Sequence, residues 1–303
     1  MTMHKFLNHF LALALVLFSL YFSEAQAQRV VYANGDKYEG DLLEGLRHGV
    51  GVYSWSNGDV YEGEFKADQL NGEGVFKWSD GRLYEGEFVK GKRQGRGRYI
   101  NSLRDSYEGA FFANRMHGSG KFVWANGDSF VGNYLNGKKN GSGEFVWSNG
   151  ERYEGQFLDD DISGTGIHYY ADGSYYTGSF ANNQRNGSGV LVLPDGGRFN
   201  GFYRDDQKHG YGLAYSLDRA GSLEYWELGV LRISKGLALR EGCRVIHEDR
   251  NWLFSGGSCV NGLAHGKGDI VSVDHEKLIH GAVLVLGRLV EGQEISFLAG
   301  DSK

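Results

Sequence analysis

The sequence predicts an all-β protein: an elongated single-layer antiparallel β-meander of hairpins with a β-rich C-terminal cap. Three observations carry this. An aromatic residue recurs every 23 residues, at Tyr38, Tyr61, Tyr84, Tyr107, Phe130, Tyr153, Tyr176 and Phe199. A fixed period of this length marks a stacked repeat array. Glycine is frequent and periodic, 48 of 303 residues against a single proline, where the usual share is about 7%. The 18 Tyr, 18 Phe and 6 Trp interleaved with it supply rings to bury, which a disordered Gly-rich linker lacks.

Each element follows from one unit, Tyr61 to Leu83. Tyr61, Gly63 and Phe65 alternate with Glu62 and Glu64, so a short strand has one aromatic and one acidic face. Gly74, Phe76 and Trp78 alternate with Val75 and Lys77 to give a second strand. Asp80-Gly81 then supplies a tight turn. The third, twelfth and fourteenth residues are Gly in all eight copies, which makes room for a neighbouring ring over the backbone. The eighth residue is only Gly, Asn or Asp, as a left-handed loop position requires. Strand spacing gives each unit roughly 10 Å, and the array a length on the order of 75 Å. A half-unit at Val31 to Asp36 precedes the first copy.

The pattern Y-x-G-x-(F/Y), G-x-G-x-(F/Y)-x-W and N-G-D, seen at Tyr61-Gly63-Phe65, Gly72-Gly74-Phe76-Trp78 and Asn57-Gly58-Asp59, resembles the MORN repeat. The resemblance implies a non-enzymatic scaffold that organises complexes, homodimerises or contacts phospholipid. Two turns depart from it, with Arg104 and Arg219 in place of the turn Gly, and the third copy has Asn101 in place of Trp. These sites are expected to kink the sheet or widen a loop.

Residues 1–27 read as a signal peptide, with an apolar run from Phe10 to Phe22 and a small-x-small cleavage site at Ala25-Gln26-Ala27. A spanning helix needs about 20 apolar residues, and this run is shorter. The organisation is then a signal peptide over 1–27, the repeat array over 28–221 and a degenerate-repeat cap over 222–303. Within the cap, Ser255 to Lys277 reads as a decayed repeat and Ile279 to Glu294 as a last hairpin. The expected location is exported, periplasmic or secreted. Cys243 and Cys259, both in the cap, could form a disulfide there or be two buried apolar side chains.

Several sharper chemistries lose to simpler readings. The net charge of −6 offers no basic footprint for nucleic acid. His48, His117, His209 and His265 share an H-G-x-G pattern, but His48 and His117 are three repeats apart, about 30 Å, too far for one zinc ion. No metal or cofactor is expected. Asp159-Asp160-Asp161 lacks EF-hand spacing and reads as a solvated loop. The column Glu39, Glu62, Glu85, Glu108 and Glu154 lies on an open face with Lys77, Arg98 and Lys121 to neutralise it. No G-x-S-x-G, S-x-x-K or Walker loop occurs, so no catalytic residue is assigned. The remaining candidates are the aromatic positions, above all Trp55, Trp78, Trp124 and Trp147. They either pack the sheet or form a stacking platform for a partner. The expected function is an exported assembly scaffold that binds a protein partner or a second copy of itself. The alternative is a cell-envelope glycan- or phospholipid-binding protein that uses the same face.

Overall fold

A computed structural model describes residues 28–216, 221–237, 239–240, 243–248, 251–272 and 277–296. The expected signal peptide over 1–27 and the departure at Arg219 lie outside the described residues. The described residues form strands and turns, with no helix. The chain divides into two compact units, with the break between Arg115 and Met116.

The first unit holds β1 (Gln28–Val31), β2 (Lys37–Leu43), β3 (Leu46–Ser54), β4 (Val60–Lys66), β5 (Gln69–Lys77), β6 (Leu83–Val89), β7 (Lys92–Ile100) and β8 (Ser106–Phe112). Each pairs antiparallel with the next. In the second unit the meander comprises β9 (Arg115–Val123), β10 (Ser129–Leu135), β11 (Lys138–Val146), β12 (Arg152–Leu158) and β13 (Asp161–Tyr169). It continues through β14 (Tyr175–Ala181), β15 (Gln184–Val192), β16 (Arg198–Arg204), β17 (Gln207–Tyr215), β18 (Gly221–Glu227) and β19 (Val230–Leu237). Antiparallel pairing therefore runs on past residue 221 for one more hairpin. A separate sheet follows, built of β20 (Leu239–Arg240), β21 (Trp252–Val260), β22 (Leu263–Ser272), β23 (Lys277–Val285) and β24 (Arg288–Ser296).

The glycines of positions three and fourteen form a ladder straight across the strands. Gly51 faces Gly63, Gly63 faces Gly74, and Gly74 faces Gly86. The first-position ring lies on this ladder: a Cβ on Gly74 would come within 2.5 Å of Tyr61 Cε2. Each such tyrosine is buried, and its hydroxyl donates to the carbonyl three residues on, as from Tyr38 to Asp41 (2.7 Å) and Tyr61 to Glu64 (3.0 Å). Burial pushes the phenols up, that of Tyr38 to about 12. The twelfth glycine serves differently. The register slips between Gly63 and Phe65, and Gly72 sits in that bulge at φ +93°, where a side chain is strained.

Two loops alternate. The hairpin inside each copy turns on two left-handed residues, such as Ala67 (φ 47°) and Asp68 (φ 67°), the geometry of a type I′ turn. The eighth position is left-handed as its composition implies, and the seventh is too, even as Glu44, Ala67 or Lys90. In the turn between copies, the Trp55 carbonyl accepts from Gly58 N–H (3.0 Å) and Trp55 N–H donates to Asp59 O (2.9 Å). Arg104 adopts the same turn at φ 73°, with Arg104 N–H donating to Asn101 O (3.1 Å) and Asn101 N–H to Asp105 O (3.0 Å). The loop there is no wider. The Asn-Gly-Asp signature links successive copies, since Asp36, Asp59 and Asp128 each accept the backbone N–H of Ser56, Ser79 and Ser148 at 2.8 Å.

The second sheet packs on the end of the meander. Phe199 pairs with Ala214, so Leu213 and Tyr215 point away from the ring face. With Leu223 and Leu237 they form a core against Val271, Leu278 and Ile295 of the second sheet. Buried Asp269 ties the two together. It accepts from Lys235 Nζ (3.0 Å) and Gly281 N–H (3.0 Å), and pairs with His280 Nδ1 (2.8 Å). Burial raises its pKa, but these bonds outweigh that and hold it below the ordinary range. Cys243 and Cys259 are joined as a disulfide, with Cα atoms 5.5 Å apart. The β21–β22 hairpin repeats the unit's plan with one displaced residue: Asn261 and Gly262 form the left-handed pair, while the ring moves to Phe254 and Gly256 faces Gly268.

Candidate functional site

The first, fifth, sixteenth and eighteenth residues of a copy share one face, because Tyr61 pairs with Phe76 and Trp78 lies two residues further on the same strand. They form two rows. The inner row is a herringbone of buried rings at 5.0 to 5.3 Å in the first unit, running Tyr38, Phe65, Tyr61, Phe88, Tyr84, Phe111 and Tyr107. The second unit repeats it from Phe130 to Tyr203. Edge-to-face pairs add about 0.5–1.5 kcal/mol each beyond burial, and this row is structural.

The outer row contains the four candidate tryptophans, all half-buried. Trp55 lies between Tyr53 (4.6 Å) and Phe76 (5.0 Å), and Trp78 beyond Phe76 (4.4 Å). In the second unit Trp124, Phe145, Trp147, His168 and Tyr170 continue in contact at 4.4 to 5.2 Å. The tryptophans do not meet one another; a Phe separates each pair within a unit. They both pack and present ring surface. His168 occupies a ring position, stacked on Trp147 and Tyr170, with Nε2 3.3 Å from Glu151. Burial pushes its pKa down, against the opposing pull of Glu151.

The tenth position, which no 23-residue motif marks, places cations on this face. It reads Arg47, Leu70, Arg93, Met116, Lys139, Ile162, Arg185 and Lys208. Arg47 lies 4.4 Å from the Tyr53 ring centre, and Lys208 3.9 Å from Phe199. Lys139 Nζ lies 4.9 to 5.9 Å from Trp124, Phe130, Phe145 and Phe157. Arg93 lies 5.0 to 5.5 Å from Tyr84, Tyr99 and Phe111. Such cation–π contacts strengthen as water is excluded, and burial pushes Arg93, Lys139 and Lys208 down in pKa. The eighth residue of the following copy clamps the cation. Asp68 accepts Arg47 N–H (2.8 Å) and Nε (2.9 Å), and Asp206 does the same for Arg185 (2.9 and 3.1 Å). The signal was present as an alternation of cation and apolar residue over 46 residues, through the seventh copy.

The other candidates resolve into structure. At the eleventh position, His209 and His265 accept the seventh-position N–H of the next hairpin at 3.4 Å, as Gln94 does at 3.1 Å. Asp160 accepts Lys139 N–H (2.8 Å) and Asp161 accepts Asn183 Nδ2 (2.6 Å), so the acidic loop does not converge. Glu39, Glu62, Glu85 and Glu108 are exposed on the opposite face. Arg98 stands opposite Glu85 and Glu108, and Arg152 bridges Glu144 and Glu154. Lys77 and Lys121 instead face Leu83 and Val131. Among the described residues, His247, Glu248 and Glu294 cluster closely enough for a metal ion. Lys277 Nζ already bridges both carboxylates, at 3.4 and 2.8 Å. No described helix is long and apolar enough to cross a membrane.

The family profile described as MORN repeat matches eight consecutive segments: 38–60, 61–81, 84–102, 107–129, 130–152, 153–175, 176–198 and 199–215. No curated protein sequence matches the chain. Among solved structures, the SAS-4 (dCPAP) TCP domain of Drosophila melanogaster, in complex with a proline-rich motif of Ana2 (dSTIL), is 16% identical. That likeness covers 60% of this chain and 93% of that one, with a TM-score of 0.34. A mutant TCP10 domain of Danio rerio CPAP is 12% identical over 69% of this chain and 98% of that one, with a TM-score of 0.38. At these scores neither likeness bears on function.

Proposed function

We propose, from the premise that this chain belongs to the MORN-repeat family, that it is an exported, non-enzymatic scaffold whose ring face binds a protein partner. The half-buried outer row, with Trp55 and Trp78 in the first unit and Trp124 and Trp147 in the second, carries this reading. Contiguous exposed apolar surface marks interaction sites, and Trp and Arg are the residues most enriched where binding energy concentrates. The cations among the rings add charged contacts to the apolar ones the face offers. Export is supported by the sequence of residues 1–27 and by the Cys243–Cys259 disulfide, a bond that persists in oxidising compartments.

The test is partner capture by three forms of the protein: wild type, Trp55→Ala/Trp78→Ala, and the opposite-face variant Glu39→Lys/Glu62→Lys. The ring-face variant should lose capture while the opposite-face variant retains it. The reverse pattern sinks the assignment of the face. Saturable binding of envelope glycans or anionic liposomes, lost in the same tryptophan variant, would favour the alternative ligand class instead. Amino-terminal sequencing of the mature protein should begin at Gln28.

A further inference from the structure

Two positions bear on one side chain of the third copy, Arg93: the eighth residue of the following copy and the eighteenth residue of its own. Arg47, Lys139 and Arg185 are each followed 21 residues later by an aspartate: Asp68, Asp160 and Asp206. Arg93 is followed instead by Asn114. The loop geometry is kept: Asn114 Oδ1 accepts Arg93 N–H (2.8 Å), and Arg93 Nη2 donates to the Asn114 carbonyl (2.8 Å). The charge is not kept. Among the described residues, the charged or ionisable groups acting on Arg93 are Tyr99, Tyr84 and Arg82, with no carboxylate among them. Lys139 has Asp160 and Asp161, and Lys208 has Glu224.

The second is Asn101, which stands where the first, second, fourth and fifth copies have Trp. Its side chain folds into its own turn, with Nδ2 donating to Asp105 (2.8 Å) and Oδ1 accepting from Leu103 and Asp105 N–H (both 2.9 Å). In the first copy Tyr53, the ring beneath Arg47, is flanked by Trp55 at 4.6 Å. In the third copy Tyr99, the ring beneath Arg93, has no indole from its own copy; among the described residues Trp78 of the preceding copy meets it edge-on at 6.1 Å.

We propose that Arg93 is a receptor for a carboxylate on an extended partner peptide laid along the ring face; this rests on the binding role proposed for that face. A guanidinium flanked by rings and stripped of its internal counter-ion is stabilised by an incoming anion, more strongly in a poorly hydrated setting. Its planar fork matches a carboxylate with two parallel bonds. A phosphate dianion calls for more donors than one cation offers. The neighbouring guanidinium, Arg82, is already held by Asp80 at 2.8 Å.

The test uses two capped octapeptides of alternating phenylalanine and serine with one central glutamate or glutamine. Binding to the full chain is followed by NMR of the arginine Nε–Hε and indole signals. The decisive variant is Asn114→Asp, which installs the arrangement already present at Asp68 and so should fold. The glutamate peptide should bind wild type about tenfold more tightly than its glutamine twin, and Asn114→Asp should erase that preference. Inorganic phosphate should not displace it. Equal binding of the two peptides overturns the receptor; if that binding is lost in Trp78→Ala, the ring face itself still stands. Unchanged preference in Asn114→Asp, displacement by phosphate, or no binding of either peptide also overturns it.

Discussion

Replacing Gly74 by alanine should destabilise the protein, although backbone propensity alone argues the opposite. Gly74 has an ordinary strand conformation, and Gly→Ala at a compatible site usually stabilises by about 0.4–1 kcal/mol. The structure reverses the sign. The new Cβ would lie 2.5 Å from Cε2 and Cζ of Tyr61, where carbon atoms prefer roughly 3.5–4.0 Å. The ring must therefore rise by about 1 Å from the glycine ladder. That breaks its hydroxyl bond to Glu64 O (3.0 Å) and tilts its edge-on contacts with Phe65 (5.1 Å) and Phe88 (5.2 Å). Overpacking costs about 1–3 kcal/mol and the hydrogen bond about 1 kcal/mol, so the expected loss is about 3 kcal/mol. Two controls separate the contributions. Tyr61→Phe removes only the hydroxyl bond and should cost about 1 kcal/mol. Gly91→Ala meets no atom within 4 Å but has φ +75°, so it should cost roughly 1 kcal/mol of backbone strain. Urea unfolding followed by circular dichroism and tryptophan fluorescence reads all three. A Gly74→Ala midpoint within about 1 kcal/mol of wild type would refute the ring-on-glycine account.

Two further outcomes are expected. His168 has a lowered pKa through burial, so the unfolded chain takes up its proton first as pH falls. Its stability contribution is present above about 6.5 and is lost as pH drops below that value. His168→Phe restores the ring of Phe145 and should flatten that part of the urea-midpoint profile; an unchanged profile would contradict the reading. Asp269→Ala strips three partners from a buried carboxylate and should cost about 2–3 kcal/mol. Hydrogen exchange should place the loss in β18–β24; uniform loss along the repeats would show that the cap is not held there.

The sequence made the hairpins readable because strand alternation and glycine placement are strict in every copy. It left the seventh loop position unread for a physical reason. Glu44, Ala67, Lys90 and Ala113 have no shared chemistry, and the turn closure forces them left-handed. The cap's seat was present but faint. Position four runs Asp41, Glu64, Glu87 and ends at Phe202; position thirteen runs Val50, Glu73, Arg96 and ends at Tyr211. Both last members pack against the core shared by the two sheets. A single copy turning apolar on its outer face carries no period, so only the packing reveals it. The cation alternation was hidden for the opposite reason. Aligning copies at 23 residues superposes Arg47 on Leu70 and erases a 46-residue rhythm.

In a repeat array, conformity and departure carry different information. A residue that recurs in every copy is accounted for by the contacts that recur with it, as with the glycine ladder and the Asn-Gly-Asp links. A departure is informative only when nothing in the fold replaces what was lost. At the sixth copy His168 substitutes for a ring but still stacks between Trp147 and Tyr170, so the fold absorbs the change. At the third copy Arg104 takes the glycine conformation with the same turn hydrogen bonds, and this too is absorbed. Asn101 and Asn114 differ: one gives up a ring beside Tyr99, the other a counter-ion for Arg93, and neither loss is made good among the described residues. Local rules are broken without internal compensation mainly where function requires it. Two such breaks converge on one guanidinium, and that convergence singles out Arg93 among the tenth-position cations.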